Sequence, residues 1–365
     1  MRKQLMFFTT HSVVSMQGET SSGEPACPQL KRSAPAHSTH GGPDAQGVPL
    51  HDFSTNANAC GPCPQALSAV QQADAVHYPD PAYTHLRQQL ATLHGVQPER
   101  VLLMASASEA LARLSAAARS LGVQRVWWPR QHFGDVARLS LAHGLQPVDD
   151  VAQAEWLWCC EPGTPHGQNQ PELASWRAGE LNPAAVLVLD CAYSPLRLEG
   201  QPSLDTARLD KVWQLWTPNK ALGLTGIRAA YVIAPASGAS GLAVALDRMC
   251  ASWPVGAHGV AMLQAWCSRP CQDWLAASLP VLREWKQRQQ ALCTSLGWAC
   301  LPSDANFFCA RVLVDDMPRA LAQLRAQGVK LRHCAAFRLP DHVVRMRVMP
   351  PAGQDALLQA WAQVG

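Results

Sequence analysis

The sequence predicts an α/β protein: a large domain with a mostly parallel sheet flanked by helices, followed by a smaller C-terminal α/β domain. Three observations carry this. The chain has 365 residues, more than one hydrophobic core ordinarily serves. From about residue 101, short apolar runs alternate with stretches of helical spacing, as in strands joined by crossover helices. After about residue 245 the pattern changes to long helical stretches and a closing strand–helix–strand–helix run.

Taken in order, residues 1–45 are rich in Ser, Thr, Gly, Pro and His without apolar periodicity, and a flexible arm is expected there. The turn-forming ACGPCPQ precedes a short helical pattern, and YTHLRQQLATLH (Tyr83–His94) carries apolar residues at helical spacing. Val101–Met104 reads as a strand, Glu109–Leu121 as an Ala/Leu helix, Val123–Trp128 as a strand and Val136–His143 as a helix. Trp156–Cys160 and Val186–Leu189 are further short apolar strands, and the large domain is expected over 46–245. LAVALDRMC and LREWKQRQQALCTSLG are helical, and ANFFCARV and VVRMRV supply strands of a small domain over 246–365.

Hydrophobic residues make up 48 % and charged residues 16 %, the composition of a soluble globular chain with a large interior. Net charge is +3 without a basic block, so no nucleic acid is expected as a partner. No apolar run approaches the ~20 residues of a membrane span, and the apolar part of MRKQLMFF is too short for a signal peptide. Thirteen Cys, an odd number, are scattered through a chain large enough to need no staples. That points to free thiols in a reducing cytoplasm. Cys60 and Cys63 form a CxxC, which suits a redox pair or half a zinc site. No second CxxC or HxxxH follows at metal spacing, and no metal is expected.

The residues with chemical potential fall in a few segments. In WTPNKALGLTGIRAAY (Trp216–Tyr231) Lys220 lies between apolar stretches. Desolvation favours the neutral amine, which is the form that attacks a carbonyl. Gly223 and Gly226 let the backbone approach a ligand, and Arg228 can bind a phosphate bidentately. The same spacing also suits a surface Lys and Arg around a Gly turn. In VLVLDCAY an apolar strand ends at Asp190, where open α/β sheets place their sites, although a helix N-cap would use the same residue. Ser106–Glu109 follows the strand VLLM and would present N–H groups to a phosphate, or serve as an ordinary capping box.

Together these segments resemble the class I/II aminotransferases, pyridoxal-phosphate (PLP) enzymes of fold type I, over roughly residues 38–362. The resemblance implies that Lys220 holds PLP as a Schiff base and that Asp190 pairs with the pyridine nitrogen, keeping it cationic and the ring electron-accepting. It implies that Tyr193 bonds the ring 3′-oxygen. Thr217, Arg228, Ala107 and Ser108 fall at the phosphate, with Asn219 where the family usually has Ser or Thr. Phe133, in PRQHFG, falls where an aromatic ring stacks on the cofactor. Tyr78, in HYPDPAY, would reach the phosphate of a neighbouring subunit, which implies a homodimer with shared sites. The segment EPGTPHG departs from the family pattern, placing Thr164 where an Asn normally bonds the 3′-oxygen.

Within the family, His40-Gly41-Gly42, DFSTNANACGP (Asp52–Pro62) and LRHCAAFRLPDHVVRMRV (Leu331–Val348) resemble threonine-phosphate decarboxylases of cobalamin synthesis. Histidinol-phosphate aminotransferases are the nearest alternative. Either implies a small, phosphorylated amino-acid-like substrate, with Arg345 at a carboxylate, Arg332 at a second anion and Asn58 among the substrate contacts. The cofactor chemistry is shared, and the arginine pair chooses the bond that breaks by orienting the substrate. Two readings of other classes remain: a binding protein that has lost the cofactor, motivated by Thr164, Ser106 and Asn219, and a redox or metal protein built on Cys60 and Cys63.

Overall fold

The structure is a computed structural model and describes residues 40–364. In chain order its first lobe forms β1 (His51–Asp52), α1 (Pro64–Gln71), α2 (Thr84–His94), β2 (Val101–Met104), α3 (Ala107–Ser120), β3 (Arg125–Trp127), α4 (Gly134–Ala142), β4 (Gln146–Pro147), β5 (Trp156–Cys160), α5 (Pro171–Ala178), β6 (Val186–Asp190), α6 (Thr206–Leu209), β7 (Trp213–Trp216), β8 (Ala230–Ile233), α7 (Ser240–Arg248) and α8 (Ala257–Trp266). The chain closes with α9 (Arg269–Ser295), β9 (Ala299–Cys300), β10 (Phe307–Arg311), α10 (Met317–Ala326), β11 (Val329–Lys330), β12 (Arg332–His333), β13 (Val343–Arg347) and α11 (Pro351–Trp361).

The large sheet has the order β2-β8-β7-β6-β5-β3-β4. Its strands run in one direction except β8, which is antiparallel to both β7 and β2. WLWCC and VLVLD are nearly continuous apolar runs because both faces of these parallel strands are covered. Alternation sorts the side chains. Leu102, Met104, Ala230 and Val232 face α3 and α7, meeting Leu111, Leu114 and Leu246. Val101, Leu103, Tyr231 and Ile233 face the other way, meeting Leu86 and Leu90 of α2 and Met262 of α8. Leu114 is fully buried, and its truncation to Ala is expected to cost about 2–5 kcal/mol.

The smaller lobe carries the antiparallel sheet β12-β13-β10-β9 over a core that includes Trp298, Phe308, Met346 and Leu357. Two expected boundaries move. The arm expected over 1–45 lies mostly outside the described residues, but its described end is docked: Asp44 pairs with Arg325 and Lys330, each at 2.8 Å. Next along the chain, β1 pairs in parallel with β11, and Phe53 lies in the small-lobe core. The expected division at 245/246 falls too early, because α8 packs on α1 and α2. The lobes meet along α9, whose 27 residues span about 40 Å. Its Cys271, Leu275 and Leu282 enter the first core and its Cys293 the second, so one amphipathic helix serves both.

Candidate active site

The carboxyl ends of β2, β3, β5, β6 and β7, and the amino end of the reversed β8, open onto one cavity of about 260 Å³ closed by the small lobe. Ala107 and Ser108, Phe133, Thr164, Asp190, Tyr193, Asn219, Lys220, Arg228, Arg332 and Arg345 all line it. Thr217 lines a small continuation of it beside Ser106, Ala107 and Arg228. A doubly covered α/β sheet places its functional loops at this edge.

Lys220 sits in a tight turn after β7. Leu222 N–H donates to Pro218 O at 2.9 Å and Leu224 N–H to Asn219 O at 2.8 Å. Gly223 closes the turn at φ +67°, and a Cβ there would stand 2.6 Å from the carbonyl oxygen of Gly61. Glycine is therefore required twice, by the dihedral and by the approach. The Lys220 ammonium lies 5.1 Å from the centre of the Tyr193 ring. Asp190, at the end of β6, accepts the Ala192 N–H at 2.9 Å. Burial raises its pKa above the usual carboxylate range, while the Lys220 charge and the Ala192 N–H pull it back. Tyr193 packs edge-on against Phe307 at 4.8 Å, and its hydroxyl accepts from Asn56 Nδ2 at 3.4 Å.

At one end of the cavity stands the N-terminus of α3. Ser106 caps it in extended conformation, its Oγ accepting Glu109 N–H at 3.1 Å. The Glu109 carboxylate takes Ala105 N–H at 3.1 Å. The N–H groups of Ala107 and Ser108 remain, pointing where an anion is favoured. Facing them, Thr217 Oγ1 and Asn219 Oδ1 are buried without a partner among the described residues. An unpaired buried polar atom costs about 1–3 kcal/mol, and both are positioned for the polar atoms of a ligand. The Ser108 hydroxyl donates to Asp135 Oδ2 at 2.6 Å, so of its two expected donors only the main-chain N–H is available.

At the other end Arg332 and Arg345 sit directly opposite each other on β12 and β13. Both are buried, with 7 % and 6 % exposure, and both guanidinium carbons lie 5.3 Å from the centre of the Phe337 ring. Arg345 donates to Thr164 Oγ1 and to Ser54 O, each at 2.9 Å. The Nε atoms of both arginines have no acceptor, and no acidic side chain pairs with either among the described residues. Burial and the Arg345 charge push the Arg332 pKa down to about 10. Two desolvated like charges without a carboxylate form a receptor for an anion.

Two expected site residues do not line this chain's cavity, and for Tyr78 the expectation was a neighbouring subunit's site. Tyr78 is 77 % exposed, outside this chain's own cavity, with its ring stacked on Trp253 at 4.3 Å. Asn58, expected at the substrate, is instead buried behind the lysine turn, bonded to Ala221 O and Ser278 Oγ. Asn56 lines the cavity in its place, with Oδ1 unpartnered among the described residues. The cause is a three-residue turn in which Ala57 N–H donates to Thr55 O at 2.8 Å. It breaks the alternation that an extended segment would keep. The repeated Asn in STNAN was the signal for Asn56. Thr164 stands at Arg345 and not at the Tyr193 hydroxyl. The neighbouring departure has a structural reason, because buried Glu161 pairs with Arg197 at 3.0 Å and accepts Ser203 N–H at 2.7 Å, fixing the loop. Cys60 and Cys63 do not face each other: Cys63 Sγ lies 3.5 Å from Cys271 Sγ. Among the described residues no group of three or more His, Cys, Asp or Glu could hold a metal, and no helix is long and apolar enough to cross a membrane.

Known proteins match this architecture. The pattern of the family described as aminotransferase class I and II matches residues 149–363, more than half of the chain. Histidinol-phosphate aminotransferase 1 of Burkholderia pseudomallei is 28 % identical over 328 residues, covering 84 % of this chain and 90 % of that protein. The crystal structure of histidinol-phosphate aminotransferase from Sinorhizobium meliloti, in complex with PLP, superposes with a TM-score of 0.74 at 24 % identity, over 92 % of this chain and 98 % of that one. L-threonine-O-3-phosphate decarboxylase from Porphyromonas gingivalis superposes with a TM-score of 0.72 at 20 % identity, over 85 % and 98 %. The chain therefore belongs to the aminotransferase class I and II family and has the α/β architecture of the fold type I PLP enzymes.

Proposed function

We propose that this chain is a PLP-dependent enzyme acting on a small, phosphorylated amino-acid-like substrate, and that its reaction is transamination of the histidinol-phosphate type. The observation that carries the substrate class is the Arg332–Arg345 pair, buried without a carboxylate in the same cavity as Lys220. The cavity fits the cofactor. Ala107 and Ser108 N–H, Thr217 Oγ1, Asn219 and Arg228 would hold the phosphate, Phe133 would cover the ring, Asp190 would meet the pyridine nitrogen, and Tyr193 with Asn56 would meet the 3′-oxygen. The cofactor supplies an electron sink for the charge left when a bond at the substrate Cα breaks.

The chain's own groups do the rest. Lys220 would hold the cofactor, and its amine, the only one lining the cavity among the described residues, would take the proton from the substrate Cα and return it. Arg332 and Arg345 would hold the anionic part of each substrate, the phosphate of the phosphorylated donor or the carboxylate of an amino-acid partner, and so orient its Cα. Asp190 and Lys220 are half-buried in one cavity, where the Lys220 charge lowers the Asp190 pKa against the effect of burial. The sequence relatives support the aminotransferase branch.

Decarboxylation of L-threonine O-3-phosphate is the second reading. It is favoured by His40-Gly41-Gly42, whose His40 and Gly41 line the cavity: a Cβ on Gly41 would clash with the Ser54 carbonyl, and the His40 ring lies 5.7 Å from Phe133. Product analysis separates the two. With PLP-loaded protein, histidinol phosphate and 2-oxoglutarate, glutamate is expected. Release of CO₂ from L-threonine O-3-phosphate without glutamate formation would replace transamination with decarboxylation. Neither product, together with no absorbance band that Lys220→Ala removes, would defeat the enzyme reading.

A further inference from the structure

We infer that Asn58 is a positioning residue for Lys220, holding the lysine turn from behind the cavity. The inference rests on the reading of Lys220 as the cofactor-linked base. Asn58 is 2 % exposed, and every polar atom of its amide is used. Its main-chain N–H donates to Lys220 O at 2.9 Å. Its Nδ2 donates to Ala221 O at 3.2 Å and to Ser278 Oγ at 2.8 Å. Its Oδ1 accepts Cys60 N–H at 3.0 Å, which folds the following loop back so that Cys63 N–H reaches Leu222 O at 2.9 Å.

Three successive carbonyls of the lysine turn, those of Lys220, Ala221 and Leu222, are thus met by donors from one six-residue stretch, 58–63. Ser278 fixes that stretch to α9. Its hydroxyl hydrogen goes to Leu275 O at 2.7 Å, leaving the oxygen to accept from Asn58 in one direction. On the opposite side, Asn219 Nδ2 reaches Thr225 O and Ile227 O at 3.5 and 3.4 Å. The turn is clamped between two asparagines, one facing the cavity and one behind it.

A lysine has a flexible four-carbon stem, and its amine must return to the same place in each cycle. Fixing the main chain at residues 220–222 removes the freedom that side-chain packing cannot. A misplacement of about 1 Å in such a group costs about 10²-fold in rate. An apolar residue of similar size at 58 would fill the space but leave Ala221 O and Cys60 N–H without partners.

The test uses Asn58→Ala and the milder Ser278→Ala, which removes only the anchor to α9. In the cofactor-free protein, hydrogen–deuterium exchange across residues 217–227 is expected to quicken about tenfold in Asn58→Ala, the effect of one lost buried hydrogen bond, with β6 unchanged. In the PLP-loaded protein, hydroxylamine should release the cofactor about tenfold faster, and kcat should fall more than KM rises. Ser278→Ala should move each readout the same way by less, and it serves alone where Asn58→Ala does not fold. A lower melting temperature with unchanged exchange at the turn and an unchanged hydroxylamine rate would overturn the inference, leaving Asn58 a core residue. Failure of the wild-type protein to link PLP at Lys220 would defeat the functional reading instead, while the exchange result still decides whether Asn58 holds the turn.

Discussion

The two ends of the cavity are built by opposite means. The end near α3 is assembled from one sheet edge, with main-chain N–H groups, small side chains and a carboxylate, Asp190, within reach of Lys220. Its Asp190 and Lys220 charges offset each other, while Arg228 is exposed at its rim. The end closed by the small lobe carries two buried guanidiniums on adjacent strands, joined by one aromatic ring and no carboxylate. Its charges do not balance, and the surrounding fold holds them together; on the proposed reading they await an anion. The first end can be ordered before any substrate is present, whereas the second stores an electrostatic cost that binding relieves.

The largest expected effect comes from breaking the balanced end at its centre. On the proposed reading Lys220→Ala removes both the anchoring amine and the proton carrier, and turnover should fall by about 10⁴-fold or more. The absorbance band of lysine-linked PLP should vanish, which a spectrum of the purified protein checks. Asp190→Asn comes next, with kcat lower by about 10²-fold, because an amide cannot hold the pyridine nitrogen in its charged form. Its effect on the cofactor-free protein should have the opposite sign. Burial raises the Asp190 pKa, so the folded chain binds that proton more tightly than the unfolded chain does. The carboxyl's favourable contribution is present at low pH and is lost as pH rises through the raised value. Asn carries no such cost. Melting curves should show Asp190→Asn more stable than wild type at about pH 7–8, with the difference closing toward about pH 4.

The unbalanced end is sharpened by Arg332→Leu. Loss of a charge-assisted hydrogen bond, about 1.5–3 kcal/mol, should raise KM for a phosphorylated substrate about 10- to 100-fold with a smaller change in kcat. Arg332 has its pKa pushed down to about 10, so the folded state disfavours its charged form, a cost present at every pH below that value. The cofactor-free variant should therefore melt higher than wild type across the neutral range. Equal or lower stability would mean that Phe337 already compensates both charges.

This contrast also explains what the sequence made legible. The balanced end comes from strand termini and the turns that follow them, so VLVLDCAY, WTPNKALG and the turn after VLLM each reveal their part locally. The order of the large sheet's strands was not written in any one segment, nor was the reversal of β8, since both depend on long-range pairing. At the other end Arg332 and Arg345 were identified by position, but their cross-strand register and their shared contact with Phe337 arise only when β12 pairs with β13. Asn58 left its expected place and Asn56, which carried no expectation, took it, because a three-residue turn at Thr55–Ala57 has no sequence signal beyond ordinary polar residues. The domain boundary was misplaced for a related reason: apolar residues of α9 serve two cores, and periodicity does not say which core a face meets.

The smallest expected effect joins the two ends. Thr164 stands where the family resemblance implied a cofactor contact, yet its hydroxyl accepts from Arg345. Thr164→Ala removes that acceptor and leaves the Ser54 carbonyl as the remaining bond to the Arg345 fork. The guanidinium would keep its charge and its burial but lose one of the two contacts that set its angle. KM for the phosphorylated substrate should then rise about 3- to 10-fold, the worth of one modest hydrogen bond, with kcat and the spectrum of lysine-linked PLP nearly unchanged. Thr164→Asn distinguishes the two assignments. If Thr164 serves Arg345, the longer amide should disturb the arginine and raise KM. A normal KM with a shifted absorbance titration would place residue 164 at the cofactor instead, so the Arg345 contact would then be incidental to its role.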